Sequence, residues 1–478
     1  MASNLPDYVA SAKPVPQENR RPWFMNTAQT YAGIMLWFVF WQDIPLGRAL
    51  EPGSTYSAFA GGMLSNGFLI PILGVIIAAL FCHFLFYLVP GLLGMKTGLP
   101  LYIVGTSTYG VHGGFAMPGF FMGVLQFGWL GVNSYFSSML IALAMGQAVN
   151  GPVHMAIGTI WAIVAAFVGL KGIQYVARVA TFLPVLPLVI LLILFFATVG
   201  GVGSFNAQAT VDAGAAVIAE KTGEEGAAAP LSSFAILAVL STYIVGFFAT
   251  AGAAGADFGM NNRDEKDVQL GGLVGVAGAT IFTGVLAILI AAGAHGLGKA
   301  ADGASLNVCT LMPSIVGEGP ASLMMILLVV AAFPPACFSS LIAANSFKTT
   351  LPKVNPFLSC GIGTLGSIAL VVSGKAGDAA GVFSVIGASF GPICGAMMAD
   401  YILAGFKWPG PRAGFNLAGW ISWAVGFLVG TNLFGLVPAF AAYNPCPPMG
   451  AFIVGFVLYA ILAKAGLEGE VLEMPAAE

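Results

Sequence analysis

The sequence predicts an all-α polytopic membrane protein with twelve transmembrane helices. Three observations carry that expectation. Charged residues make up only 8% of the 478 positions and hydrophobic residues 58%. The apolar residues fall in long runs bounded by Gly, Pro and charge clusters, and the basic residues sort onto alternate loops. A soluble domain carries about 25% charged residues, so a chain this poor in charge cannot coat a water-facing globule. With a mean hydropathy of +0.91, the bilayer must be its main solvent. At about 20 residues per spanning helix, twelve spans use roughly half the chain, which excludes a single-anchor protein. An outer-membrane barrel is excluded too, because its strands alternate in polarity over about ten residues.

The chain opens with a polar, proline-bearing stretch, 1–23, with no apolar run, which predicts a cytoplasmic tail and no cleaved signal. Candidate spans follow at 24–45, 66–92, 113–146, 152–170 and 177–199. The third is too long for one upright helix, so it is expected to tilt or to follow a re-entrant turn. An acidic external loop, 200–230, separates these from spans at 231–256, 268–296, 319–346, 357–374 and 380–402. Two further spans, 414–440 and 447–466, close region 403–466, and 467–478 is a second cytoplasmic tail. Of the 17 Lys and Arg residues, 13 fall on one side of this map and four on the other: Arg48, Lys221, Lys299 and Lys375. The positive-inside rule then places both termini in the cytoplasm, as an even number of spans requires.

Residues 24–199 and 231–402 each hold five spans, so the second block enters the membrane from the opposite side. That is the arithmetic of an inverted repeat, common in secondary transporters. The first helix of each block places a Gly shortly after Thr-Tyr: TYAGIMLWF (30–38) and TYIVGFFATAGAAGADF (242–258). Broken helices and close helix packing are both open readings of these glycines.

Composition narrows the partners. A net charge of −3 leaves no basic footprint for nucleic acid. The six cysteines (82, 309, 337, 360, 394 and 446) form no CxxC, and they read as small packing residues. No GxxxxGK[ST] loop supports an ATP-driven pump, and no repeated carbonyl or charged ring supports a channel filter. An intramembrane enzyme would rest on GASFG (387–391), but a nucleophile elbow needs a strand-to-helix turn and a His–acid pair. The match is read as chance.

Five stretches, taken in order, carry a resemblance: PVPQ (14–17), GMKTGLP (94–100), LQFGWLGV (125–132), VGFFATAGAAGADF (245–258) and FGPICGAMMADYIL (390–403). Together they resemble the nucleobase–cation symporter family and, within it, the cytosine permease branch. The resemblance implies two inverted five-helix repeats of the LeuT type plus two C-terminal helices. It implies uptake, by alternating access, of cytosine, a purine or a related heterocycle (a hydantoin, allantoin or a thiamine-precursor pyrimidine) with H⁺ or Na⁺. No organic cofactor is expected. The expected setting is the inner or plasma membrane, with the protein functioning as a monomer.

The same resemblance marks site residues. Gln126 and Trp129 match substrate positions. Three residues apart, they share a helix face. An indole offers a stacking surface worth about 1–3 kcal/mol per base, and an amide offers a donor beside an acceptor. Packing is the alternative role for both. Phe248 and Thr250 match a second stacking aromatic and a polar contact. Two residues apart in a regular helix they diverge by about 200°, so they can face one ligand only if the chain unwinds after Gly246. Trp37 is a further substrate candidate. Gly33, Ser339 and Ser340 are candidates for a Na⁺ site, although AAFPPACFSS (331–340) departs from the family pattern by placing a Pro pair where polar residues are expected. Intramembrane ionisable groups are functional candidates by default. Asp43 is the first choice for a proton-linked group, while Asp257 and Asp400 are expected to cap helices or form ion pairs.

Overall fold

The computed structural model describes residues 5–25, 43–171, 183–223, 229–300 and 302–474. The first expected span, with Gly33 and Trp37, lies almost wholly outside the described residues. The next four spans are α1 (Leu69–Thr97), α2 (Phe115–Ala144), α3 (Pro152–Lys171) and α4 (Val185–Ser204). They are followed by α5 (Ala207–Thr222), α6 (Ser233–Ala253) and α7 (Glu265–Gly296). The chain continues through α8 (Val308–Val316), α9 (Glu318–Thr350), α10 (Pro356–Val372), α11 (Ala379–Leu403), α12 (Leu417–Gly430) and α13 (Pro447–Lys464). Among the described residues nine helices are long and apolar enough to cross a membrane, and α10 and α12 are shorter apolar helices. The 200–230 segment, expected as a loop, contains α5. Its alanine-rich sequence favours helix, the Asn206 side chain caps its start, and Gly223 ends it at φ 69.

The loops gather at two ends. At one end the N-terminal segment lies across the molecule: Val15 N–H donates to Gly98 O (2.9 Å) and Arg21 N–H to Asn261 O (2.8 Å). The C-terminal tail joins it there, with Ala413 N–H donating to Glu470 O at 2.8 Å. At the opposite end Asn150 Nδ2 donates to Pro52 O (2.8 Å), Asn66 Nδ2 to Leu231 O (2.6 Å), and the Tyr56 hydroxyl to Asp302. Burial pushes the Asp302 carboxyl up, but that hydroxyl and the backbone N–H groups of Ser305 and Ala304 outweigh it and hold the carboxyl below its usual range.

Irregular turns sit at matched places. In α1 the turn Cys82–Tyr87 is π-helical, and in α7 so is Leu273–Gly278. These are the second helices of the two five-span blocks, and Gly272, just before the second turn, lies against the His83 ring. A third π turn, Phe115–Phe120, opens α2, the span expected from its length to tilt or to follow a re-entrant turn.

Of the two open readings of the α6 glycines, the structure shows packing: α6 is helical without interruption from Ser233 to Ala253, with no unwinding after Gly246, and its cap falls at Ala254. A Cβ on Gly246 would stand 2.5 Å from the Phe383 carbonyl oxygen, and one on Gly252 2.7 Å from Phe86 Cβ. These glycines are notches that let α11 and α1 approach α6. The Pro pair likewise leaves α9 unbroken through Pro334 and Pro335, although each proline removes one hydrogen bond within the helix.

Candidate functional site

The site is built where α2, α6 and α11 meet. Trp129 is half-buried on α2, and its Nε1 donates to Thr250 Oγ1 of α6 at 3.1 Å. The Phe383 ring of α11 lies nearly parallel to the indole, with centroids 5.3 Å apart at 27°. The Phe247 ring meets the same indole edge-on at 4.4 Å and 73°, and packs against Phe383 at 4.8 Å. Tyr243, one helical turn before Phe247, meets Phe383 edge-on at 5.2 Å and 89°. Edge-to-face and offset contacts in this range are the favoured aromatic geometries.

The residues marked in the sequence therefore resolve into different pairs. Trp129 and Thr250 are brought together by a hydrogen bond. Phe248 and Thr250 are not placed on one face, because α6 stays helical; Phe248 is fully buried, and its neighbour Phe247 meets Trp129 instead. Gln126 is buried one turn before Trp129, and its Nε2 donates to the Met122 thioether at 3.5 Å. A thioether is a weak acceptor, so the amide keeps hydrogen-bonding capacity beside the indole. Asn133, one turn beyond Trp129, was not marked by the sequence. Its Nδ2 donates to Ala332 O (3.1 Å) and its Oδ1 accepts from Trp161 Nε1 (3.1 Å), which ties α2 to α9 and α3. Phe247, Tyr243 and Phe383 also escaped the sequence reading, because one Phe in an apolar run looks like any other.

The ionisable candidates separate as well. Asp43 is buried and accepts from the Tyr243 hydroxyl at 3.3 Å, which links it to the aromatic cluster. Asp257 accepts from Leu101 N–H at 3.0 Å, so it caps a short turn, as its position suggested. Asp400 is buried and paired with Arg412 at 2.8 Å, and it accepts from Ser107 (2.7 Å) and Thr108 (3.2 Å). Ser340 turns toward α3, donating to Cys337 O (2.9 Å) and approaching Ala166 O (3.3 Å). Ser339 donates to Pro335 O at 3.4 Å. The two hydroxyls thus engage carbonyls of α9 and α3. Gly33, the third member of the expected Na⁺ set, lies outside the described residues, as does Trp37.

The helices that hold this aromatic and amide cluster form a bundle with the LeuT-type fold of solved symporters. Mhp1 in its inward-facing conformation matches with a TM-score of 0.64 at 14% identity, covering 100% of this chain and 97% of that one. The closed conformation of Mhp1, a nucleobase-cation-symport-1 family transporter with bromovinylhydantoin bound, matches at 0.61 and 15%, covering 96% and 95%. A Na⁺-coupled sialic acid symporter in a substrate-bound outward-open state matches at 0.54 and 12%, covering 98% and 93%. Identities this low speak for the fold. The sequence speaks for the family: residues 57–406 match the model for permeases for cytosine/purines, uracil, thiamine and allantoin, and the chain belongs to that family. It is a transporter, not an enzyme. No curated protein matches the sequence.

Proposed function

We propose that the protein takes up a flat nitrogen heterocycle, a nucleobase such as cytosine or a purine, together with a cation by alternating access. The observation that carries this reading is the cluster of Trp129, Phe247, Phe383 and Thr250 around an indole, with the spare amide of Gln126 one turn away. Two stacked aromatic layers lie about 3.5–4.0 Å apart at contact. A base sandwiched between Trp129 and Phe383 would thus need roughly twice that spacing, more than the present 5.3 Å. In this reading Phe383 swings aside when a base stacks on Trp129, and the Gln126 amide meets the ring N–H and carbonyl edge. Asp43 is the proposed proton-linked group. Na⁺ held by Gly33, Ser339 and Ser340 is less favoured, because residues 331–340 supply hydroxyl oxygens only at these two serines. The excess of basic residues on the end that carries both chain termini supports a cytoplasmic placement of that end, in an inner or plasma membrane. The working unit is proposed to be the monomer.

The test is uptake of labelled cytosine, adenine, uracil and hydantoin into cells lacking their own permeases. Saturable uptake of one of them that Trp129→Ala weakens supports the reading. No uptake of any of the four by a well-expressed protein overturns it. A preference for hydantoin would move the substrate to the related heterocycles. Repeating uptake at fixed pH with Na⁺ replaced by choline, then across a pH series, separates the two ions: strict Na⁺ dependence with no pH effect overturns the reading of Asp43 as a proton-linked group.

A further inference from the structure

Asp43 lies at the end of the molecule opposite the chain termini, directly before the loop that bonds to Pro45 and Asp43 carbonyls through Met63 and Gly47. Its carboxylate accepts from the Tyr243 hydroxyl. The Tyr243 ring stands edge-on to Phe383, and Phe383 covers Trp129. Four residues on α6, α11 and α2 and before α1 therefore form one contact chain, from a buried carboxylate to the face of the indole. The start of α11 carries a second carboxylate: Asp378 caps the helix, accepting from Gly381 N–H at 3.0 Å. Phe383 thus sits within the first turns of a helix whose start is held by Asp378, while Tyr243 is held by Asp43.

We propose that Asp43 and Tyr243 form a latch: a monovalent cation neutralising the Asp43 carboxylate releases the Tyr243 hydroxyl and lets Phe383 leave Trp129. The inference rests on the reading that Trp129 is the substrate platform, but the latch itself can be observed without substrate. Its physical basis is that a hydrogen bond to an ionised acceptor is roughly twice as strong as a neutral one. An ionised Asp43 holds Tyr243 firmly and keeps its ring against Phe383. A neutralised one holds it weakly, so the covered and uncovered states of Trp129 come closer in energy. A ligand with different affinity for two states shifts their populations, which is the coupling that a symporter needs. A proton and Na⁺ share this chemistry, since either cancels the carboxylate charge. Among the described residues, the titratable groups around Asp43 and Tyr243 are Tyr135 on α2, Cys309 on α8 and Asp378 at the start of α11. The tyrosines and the cysteine are neutral at ordinary pH and Asp378 is engaged by Gly381 N–H, so the charge change that reaches the Tyr243 hydroxyl falls to Asp43, its hydrogen-bond acceptor. Tyr243 is a positioning residue, acting on Trp129 through Phe383.

Hydrogen–deuterium exchange of residues 376–388 in the purified, substrate-free protein tests the latch. It is read across a pH series corrected for intrinsic exchange, and in Na⁺ against choline at fixed pH. The parent should exchange faster in this segment when a cation is available, through the pH arm if the cation is a proton and through the Na⁺ arm if it is sodium. Tyr243→Phe keeps the ring and its packing but has no hydroxyl, so it should lose that response. Asp43→Asn should show the fast pattern under every condition. A parent whose segment ignores both pH and Na⁺ overturns the latch, and so does Tyr243→Phe with the parent's response. If the latch responds as expected while Trp129→Ala leaves uptake unchanged, the substrate platform has failed and the latch has not.

Discussion

Trp129 touches α6 through its N–H and α11 through its face, so its replacement separates stacking from packing. Losing a base–aromatic stack costs about 1–3 kcal/mol, and tenfold in affinity corresponds to about 1.4 kcal/mol. Trp129→Ala is therefore expected to raise the KM for uptake by about 5- to 150-fold, while surface expression persists. Trp129→Phe keeps a stacking face and loses only the hydrogen bond to Thr250, so its effect should be smaller. Equal kinetics for Trp129→Ala and the parent would remove Trp129 from the substrate site. Gln126→Glu should weaken uptake at neutral pH more than the near-identical size suggests, because an ionised carboxylate has no donor; Gln126→Asn, which keeps the donor, is the comparison. At this scale the family resemblance marked Gln126 and Trp129, while Asn133, one turn further along the same helix, went unmarked. The aromatic partners were not marked either. The chain has 36 Phe residues, and deciding between Phe247 and Phe248 requires knowing that α6 stays helical, which composition does not reveal.

Helices were the most legible elements, because spanning length and apolar content leave little choice of secondary structure. Their breaks were harder to read. Glycine both loosens a helix and lets another backbone approach, and the sequence alone does not separate the two roles. In α6 close approach wins. A tight notch of the same kind is Gly94 at the end of α1, where a Cβ would stand 2.0 Å from the Ala256 carbonyl oxygen. Gly94→Ala forces backbone against backbone, and overpacking of this kind costs about 1–3 kcal/mol. Thermal unfolding in detergent should show a lower midpoint for Gly94→Ala and for Gly246→Ala. Gly361→Ala on α10, where an added Cβ meets nothing within 4 Å, should match or slightly exceed the parent, since Ala is the better helix former. A midpoint for Gly94→Ala equal to that of Gly361→Ala would mean that α1 and the 255–259 turn do not pack as described.

For the molecule as a whole, the alternation of loops between two ends was legible from 17 basic residues, but what clamps one end together was not. Arg412 entered the sequence reading as one of the basic residues on its side, and Asp400 as an acid expected to cap a helix or form an ion pair, with no partner named. The structure buries both and makes Arg412 a hub. It pairs with Asp400 and with Glu468 of the C-terminal tail, each at 2.8 Å, donates to the Tyr459 hydroxyl of α13 (3.2 Å), and donates to the Ser107 carbonyl of the α1–α2 linker. One guanidinium thus joins the first repeat, α11, the last helix and the tail. Such a hub depends on contacts from 12 to 305 residues apart in the chain, which no local pattern reports. Breaking a buried ion pair by removing one partner costs about 3–5 kcal/mol, because the other charge stays buried alone. Arg412→Met should therefore lower the thermal midpoint well below the parent's. Removing both charges, Arg412→Met with Asp400→Asn, should recover part of the loss, since no unpaired carboxylate remains beside Ser107. Glu468→Gln should cost less than Arg412→Met, because Glu468 is 28% exposed at its side chain against 3% for Asp400. If Arg412→Met unfolds at the parent's temperature, the hub does not hold this end. If the double variant falls as far as the sum of its two single variants, the two charges are not coupled.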